Sequence, residues 1–201
     1  MITHAVGISL GPTSSVETGV AVRDLQTREL IHVDKLFSMT DIQLFFDNYV
    51  SLKNSLIFVS LPWDNTMLEG KWRVQSKQYQ LIHNDEQLFL NRDNWMQRFS
   101  TRGCELLLSL KEQGCEVYRY EVYLSRLKLN LYSNYKERSS ADCKFLQSAL
   151  KQEYGFKNLP SNMMPVGQLE AILGTILAER MLKKNVKAIF EFKGLDVINI
   201  L

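Results

Sequence analysis

The chain is short of the residues that would set it apart from ordinary globular proteins. Its 201 residues include only three cysteines, three histidines and four prolines. Cys104, Cys115 and Cys143 are odd in number and have no CxxC spacing, so neither a disulfide framework nor a zinc knuckle is indicated. Three isolated thiols fit a reducing cytoplasm. His4, His32 and His83 are scattered without HxxxH spacing, which argues against an imidazole zinc site. A P-loop, a GxGxxG turn and a GxSxG elbow are all missing, so nucleotide-dependent and serine-hydrolase chemistry find no support.

Charge of one sign is lacking as well. Lys and Arg total 24 against 22 Asp and Glu, a net charge of +2, so no global field draws in nucleic acid and any polyanion site has to be local. No segment approaches the roughly 18 apolar residues of a spanning helix, and the first ten residues have no basic stretch leading into a long apolar run. The expectation is a cytoplasmic protein without a membrane partner. Apolar residues at 45% and charged residues at 23% are ordinary globular values. The length suits one domain over residues 1–201.

What is present is a sequence of alternating patterns. Residues 5–10 and 18–22 read as buried strands separated by Gly11-Pro12, and residues 30–37 alternate well enough for a third. Three strands with tight turns predict an antiparallel meander. Thr40 as N-cap and apolar residues at 42, 45, 46 and 49 predict a helix. The continuous apolar run 55–61 predicts a strand covered on both faces, ended by Pro62.

Residues 63–95 lack a clear period and predict an irregular insertion. A helix is expected in the later half of 95–113 with Gly114 at its end, followed by an alternating strand over 116–123. Residues 125–135 and 141–154 read as helices, and 165–184 as the clearest helix of the chain, where Ala171, Gly174 and Ala178 allow close packing. Residues 188–192 and 197–201 predict short strands or an ordered tail. This order predicts an α/β, ribonuclease-H-like, three-layer fold: a mixed central sheet with an antiparallel three-strand meander and helices on both faces.

The motifs sharpen this expectation. Gly7-Ile8-Ser9-Leu10-Gly11, then Val59-Ser60-Leu61-Pro62, then Val117-Tyr118-Arg119-Tyr120-Glu121-Val122-Tyr123 and Leu169-Glu170-Ala171-Ile172-Leu173-Gly174 together resemble the family called domain of unknown function 429, a group of predicted ribonuclease-H-like nucleases. The resemblance implies magnesium- or manganese-assisted hydrolysis of a phosphodiester, with carboxylates as the ligands that hard divalent cations prefer. It implies Glu121 and Glu170 as catalytic, metal-holding acids. Asp64 and Glu17 lie near enough in sequence to serve as substitute ligands. The family's other acidic position on the last helix falls on Gly167 or Gln168.

Two departures on the strands matter. Ser9 and Ser60 stand where the resemblance calls for aspartates, and a neutral hydroxyl cannot supply the charge that keeps a pair of cations bound. The expected site is therefore degenerate, and hydrolysis weak or lost. The rival expectation is a non-catalytic binding or scaffold domain for a protein or nucleic-acid partner. Lys71, Trp72, Arg73, Lys77 and Tyr79 interleave basic and aromatic side chains as a single-strand surface would. Arg119, Arg126, Lys128, Lys136 and Arg138 form a second basic group. The sequence sets no oligomeric state.

Overall fold

The computed structural model describes residues 1–49, 54–60, 95–120, 122–183, 186–192 and 195–200. Its strands are β1 (His4–Ser9), β2 (Thr18–Asp24), β3 (Leu30–Leu36), β4 (Ser55–Ser60), β5 (Glu116–Tyr120), β6 (Val186–Phe192) and β7 (Leu195–Ile200). They form one sheet in the order β3-β2-β1-β4-β5-β7-β6. The first three make the expected antiparallel meander. β1, β4, β5 and β7 run parallel, and β6 closes the far edge antiparallel to β7. The final segments, read as strands or a tail, are thus a hairpin that widens the sheet.

Side-chain alternation along each strand sorts the core into two layers. Ala5, Leu56, Phe58 and Tyr120 pack on one face against helices α4 (Ser140–Glu153) and α5 (Val166–Leu182). Val6, Ile8, Ile57, Val59 and Val117 pack on the other against α1 (Met39–Tyr49) and α2 (Trp95–Glu112). Ser9 shares the parity of Ala5 and Ser60 that of Phe58, so both belong to the α5 face. α5 is apolar nearly all round: Leu169, Ile172, Leu173, Ile176 and Leu177 are all buried, as a helix covered on several sides requires.

Glycines set how near α5 comes. A Cβ on Gly7 would lie 1.8 Å from the carbonyl oxygen of Ala171, and one on Gly19 would lie 2.0 Å from that of Gly167. Helix backbone therefore rests directly on strand backbone at the start of α5.

Several boundaries differ from the sequence expectation. The cap of α1 is Ser38, not Thr40: the Asp41 amide donates to Ser38 Oγ at 3.0 Å and the Ser38 amide to Asp41 Oδ2 at 2.8 Å, a reciprocal capping box. α2 occupies all of Trp95–Glu112 rather than its later half, since a nucleated helix propagates through moderate formers. Gly114, at φ +78°, ends it as expected. The Gly114 amide donates to Lys111 O and the Cys115 amide to Leu110 O, which is a Schellman closure.

The strand expected to reach residue 123 stops at Tyr120, because Tyr120 lies opposite Ser60, the last residue of β4. Helix α3 (Val122–Lys128) follows at once. It ends well before Tyr135, at Asn130 in the left-handed conformation (φ +57°), with the Leu131 amide closing on Arg126 O. The 63–95 segment lies outside the described residues except for Trp95, which opens α2. Among the described residues no helix is long and apolar enough to cross a membrane.

Candidate functional site

Ser9 and Ser60 end the parallel strands β1 and β4 in register with each other. Active sites of open α/β sheets form at this carboxyl edge. Both residues are buried. Above them, the close seating of α5 brings Glu170 to the sheet. Ser9 Oγ donates to Glu170 Oε2 at 2.7 Å, and the Tyr120 hydroxyl donates to the backbone carbonyl of Glu170 at 2.6 Å. Residues from β1 and β5 thus fix one position of the helix. Glu170 is not in the first turn of α5, so tertiary contacts rather than the helix dipole hold it.

A cation completes the group. Arg138 Nη2 lies 3.0 Å from Glu170 Oε2, with the glutamate side chain 7% exposed and the arginine side chain 59%. Arg138 sits in the left-handed region at φ +60°, and a second buried network fixes the loop that carries it. Asp142 Oδ2 accepts the Arg138 amide at 2.9 Å. Both Asp142 oxygens accept from Arg126, Nη1 at 2.9 Å and Nη2 at 2.5 Å, and Ser133 Oγ donates at 2.6 Å.

Burial alone would raise the Asp142 carboxyl. The bonds from Arg126, Ser133 and the Arg138 backbone outweigh it and hold the group below its ordinary pKa. Ser139 caps α4 by accepting the Asp142 amide, so one aspartate joins the helix start, the 129–139 loop and the placement of Arg138.

Of the remaining expected site residues, some face other parts of the fold, Glu17 sits by the start of α5, and the rest lie outside the described residues. Arg119, read as a substrate-binding residue, is 0% exposed. It shares the parity of Val117 on β5, which faces α1 and α2, away from Glu170; alternation along the strand, which the sequence reading did not apply to it, accounts for the difference. Arg126 is likewise buried in its ion pair, leaving Lys128, Lys136 and the Glu170-paired Arg138 as the exposed members of that group. Glu17 is half-buried near Gly167 at the start of α5. Glu121, Asp64, Lys71, Trp72 and Arg73 lie outside the described residues, as do Lys77 and Tyr79.

The sequence reading missed Asp142, Ser133 and Tyr120, and placed Arg138 in a second basic group without its partner Glu170. The Ser139-x-x-Asp142 cap was the one local signal available.

The described part of the site does not fit a pair of divalent cations. Ser9 and Ser60 bring only neutral hydroxyls, and the Glu170 carboxylate already carries a guanidinium. A doubly charged ion at about 4 Å from that guanidinium would be repelled by several kcal/mol, less where water screens it. Among the described residues no three His, Cys, Asp or Glu side chains group as a metal site.

No protein-family model and no curated protein matches the chain. A solved structure, T. thermophilus RuvC in complex with Holliday junction substrate, is similar over 90% of this chain and 96% of that one, with a TM-score of 0.50 and 14% identity. With the sheet order above, this likeness shows a ribonuclease-H-like fold.

Proposed function

We propose that this protein is a ribonuclease-H-like nucleic-acid-binding domain, related to the predicted nucleases of domain of unknown function 429, in which metal-dependent phosphodiester hydrolysis is weak or lost. The observation that carries the reading is the Arg138 guanidinium on Glu170 Oε2, the oxygen that also accepts from Ser9. A carboxylate so engaged is neutralised from within the chain, and neither Ser9 nor Ser60 restores the missing charge. The nucleic-acid part rests on the solved neighbour, which holds a Holliday junction, on the sequence pattern of Lys71, Trp72 and Arg73 and, separately, on exposed Lys128 and Lys136. Glu121 and Asp64 are the acids left to hold magnesium or manganese should residual hydrolysis exist.

A protein scaffold is the second reading. Phe37 and Leu44, which line a shallow groove beside β3 and α1, are exposed large apolar side chains.

The test is fluorescence anisotropy with single-stranded, duplex and four-way-junction DNA and RNA, run beside cleavage assays in millimolar magnesium or manganese. Salt-sensitive binding without metal-dependent cleavage is the expected result. Metal-dependent cleavage abolished by Glu170→Gln would overturn the loss of catalysis, and failure to bind any of the nucleic acids would leave the scaffold reading.

A further inference from the structure

A second concave site lies at the opposite end of α5 from Glu170. It is a cavity of about 630 Å³ between the β2–β3 turn, the segment after α4 and the last turn of α5, within the range of roughly 300–1,000 Å³ typical of small-molecule sites. Its centre is one carboxylate serving three cations. Glu179 Oε2 lies 3.0 Å from Arg23 Nη1, and Glu179 Oε1 lies 3.4 Å from Arg28 Nη2 and 2.7 Å from Lys183 Nζ.

Arg23, only 4% exposed, is the fixed part of this cluster. Its Nε donates to Arg28 O at 3.0 Å, and its guanidinium lies 4.6 Å from the Phe156 ring centroid, a cation–π contact. Lys157 and Arg180 add two more cations to the walls, and the Tyr154 hydroxyl donates to Leu129 O at 3.0 Å. Glu29 and Glu153 are the other acids lining the cavity. Among the described residues, five cations therefore face three carboxylates, an excess of two positive charges within one concavity.

We propose that this cavity binds the phosphate group of a phosphorylated ligand, with Arg28, Lys157, Arg180 and Lys183 as its donors. A phosphomonoester carries about −1.5 to −2 charge at neutral pH, which matches the excess, and guanidinium forks bind its oxygens in pairs. A single carboxylate ligand would leave part of that charge unmatched. The phosphate can belong to a free small molecule or to the end of a nucleic-acid strand, and the two are separable by experiment. The site stands independently of the Ser9–Glu170–Arg138 group.

Isothermal titration of the full chain with inorganic phosphate, a nucleoside 5′-monophosphate and the unphosphorylated nucleoside tests it. Short oligonucleotides with and without a 5′-phosphate form the second arm. Saturable binding only of phosphate-bearing probes is expected, with the oligonucleotide arm telling strand ends from free molecules. Replacing the exposed Lys157 and Lys183 together by alanine, with the circular dichroism spectrum unchanged, is expected to weaken binding about tenfold or more, roughly 1.4 kcal/mol. No saturation at millimolar phosphate or nucleotide, or undiminished affinity in that double variant, would overturn the proposal.

Discussion

The Ser9 hydroxyl donates a 2.7 Å hydrogen bond to the Glu170 carboxylate across a separation of 161 residues. The bond exists because Gly7 and Gly19 let the backbone of α5 rest on β1 and β2. The hydroxyl satisfies Glu170 from the strand side while Arg138 neutralises it from the solvent side.

Ser9→Asp places a carboxylate against Glu170, and two like charges sharing one site disfavour joint ionisation. The variant is expected to have a lower Tm than the parent in metal-free buffer. Combining it with Arg138→Ala removes the competing cation, so manganese should raise the Tm of the double variant more than that of the parent. Thermal unfolding with and without manganese is the measurement.

Asp142→Asn breaks a buried bidentate pair and leaves Arg126 uncompensated. Loss of about 3–5 kcal/mol is expected, read by urea unfolding. The folded carboxyl titrates below its ordinary value. Its contribution is therefore present above the unfolded pKa of about 4, and is lost as pH falls through the lower folded value. Parental stability should drop on acidification in that window, and the asparagine variant should show a flatter profile.

Gly7→Ala drives a Cβ to 1.8 Å from the Ala171 carbonyl, where only backbone movement relieves the clash. A cost of about 1–3 kcal/mol or more is expected. Because α5 must lift, the Ser9 to Glu170 bond should lengthen, and protection of the α5 amides in hydrogen exchange should fall.

Cys115 and Cys143 are buried free thiols. Burial raises the pKa of both, and for Cys143 the nearby Asp142 and Glu170 raise it further. With Cys104 replaced by serine, the native protein is expected to react with a thiol reagent far more slowly than the urea-unfolded protein. Rapid native-state labelling of either residue would contradict the packing around α4 or β5.

Local pattern made most of the element order legible. The meander, the buried run of β4 and the long apolar α5 each announce themselves through period or continuity. The errors fall where a boundary depends on a partner. Residues 116–123 alternate throughout, but β5 ends where β4 stops offering a ladder. Arg119 illustrates the same limit at the site, since an arginine in an alternating strand looks like a surface cation until the opposite layer of helices is present to bury it.

The sequence by itself determined the layered α/β order and the absence of acids at positions 9 and 60, because both follow from periodicity and residue identity along the chain. Only the tertiary structure decided what meets those serines. The partner of Glu170 is Arg138, set by a left-handed loop residue and by Asp142, buried beneath it. Hydrogen bonds and charge pairs between distant segments depend on the approach of α5 to the sheet, which the positions of glycines permit but do not spell out.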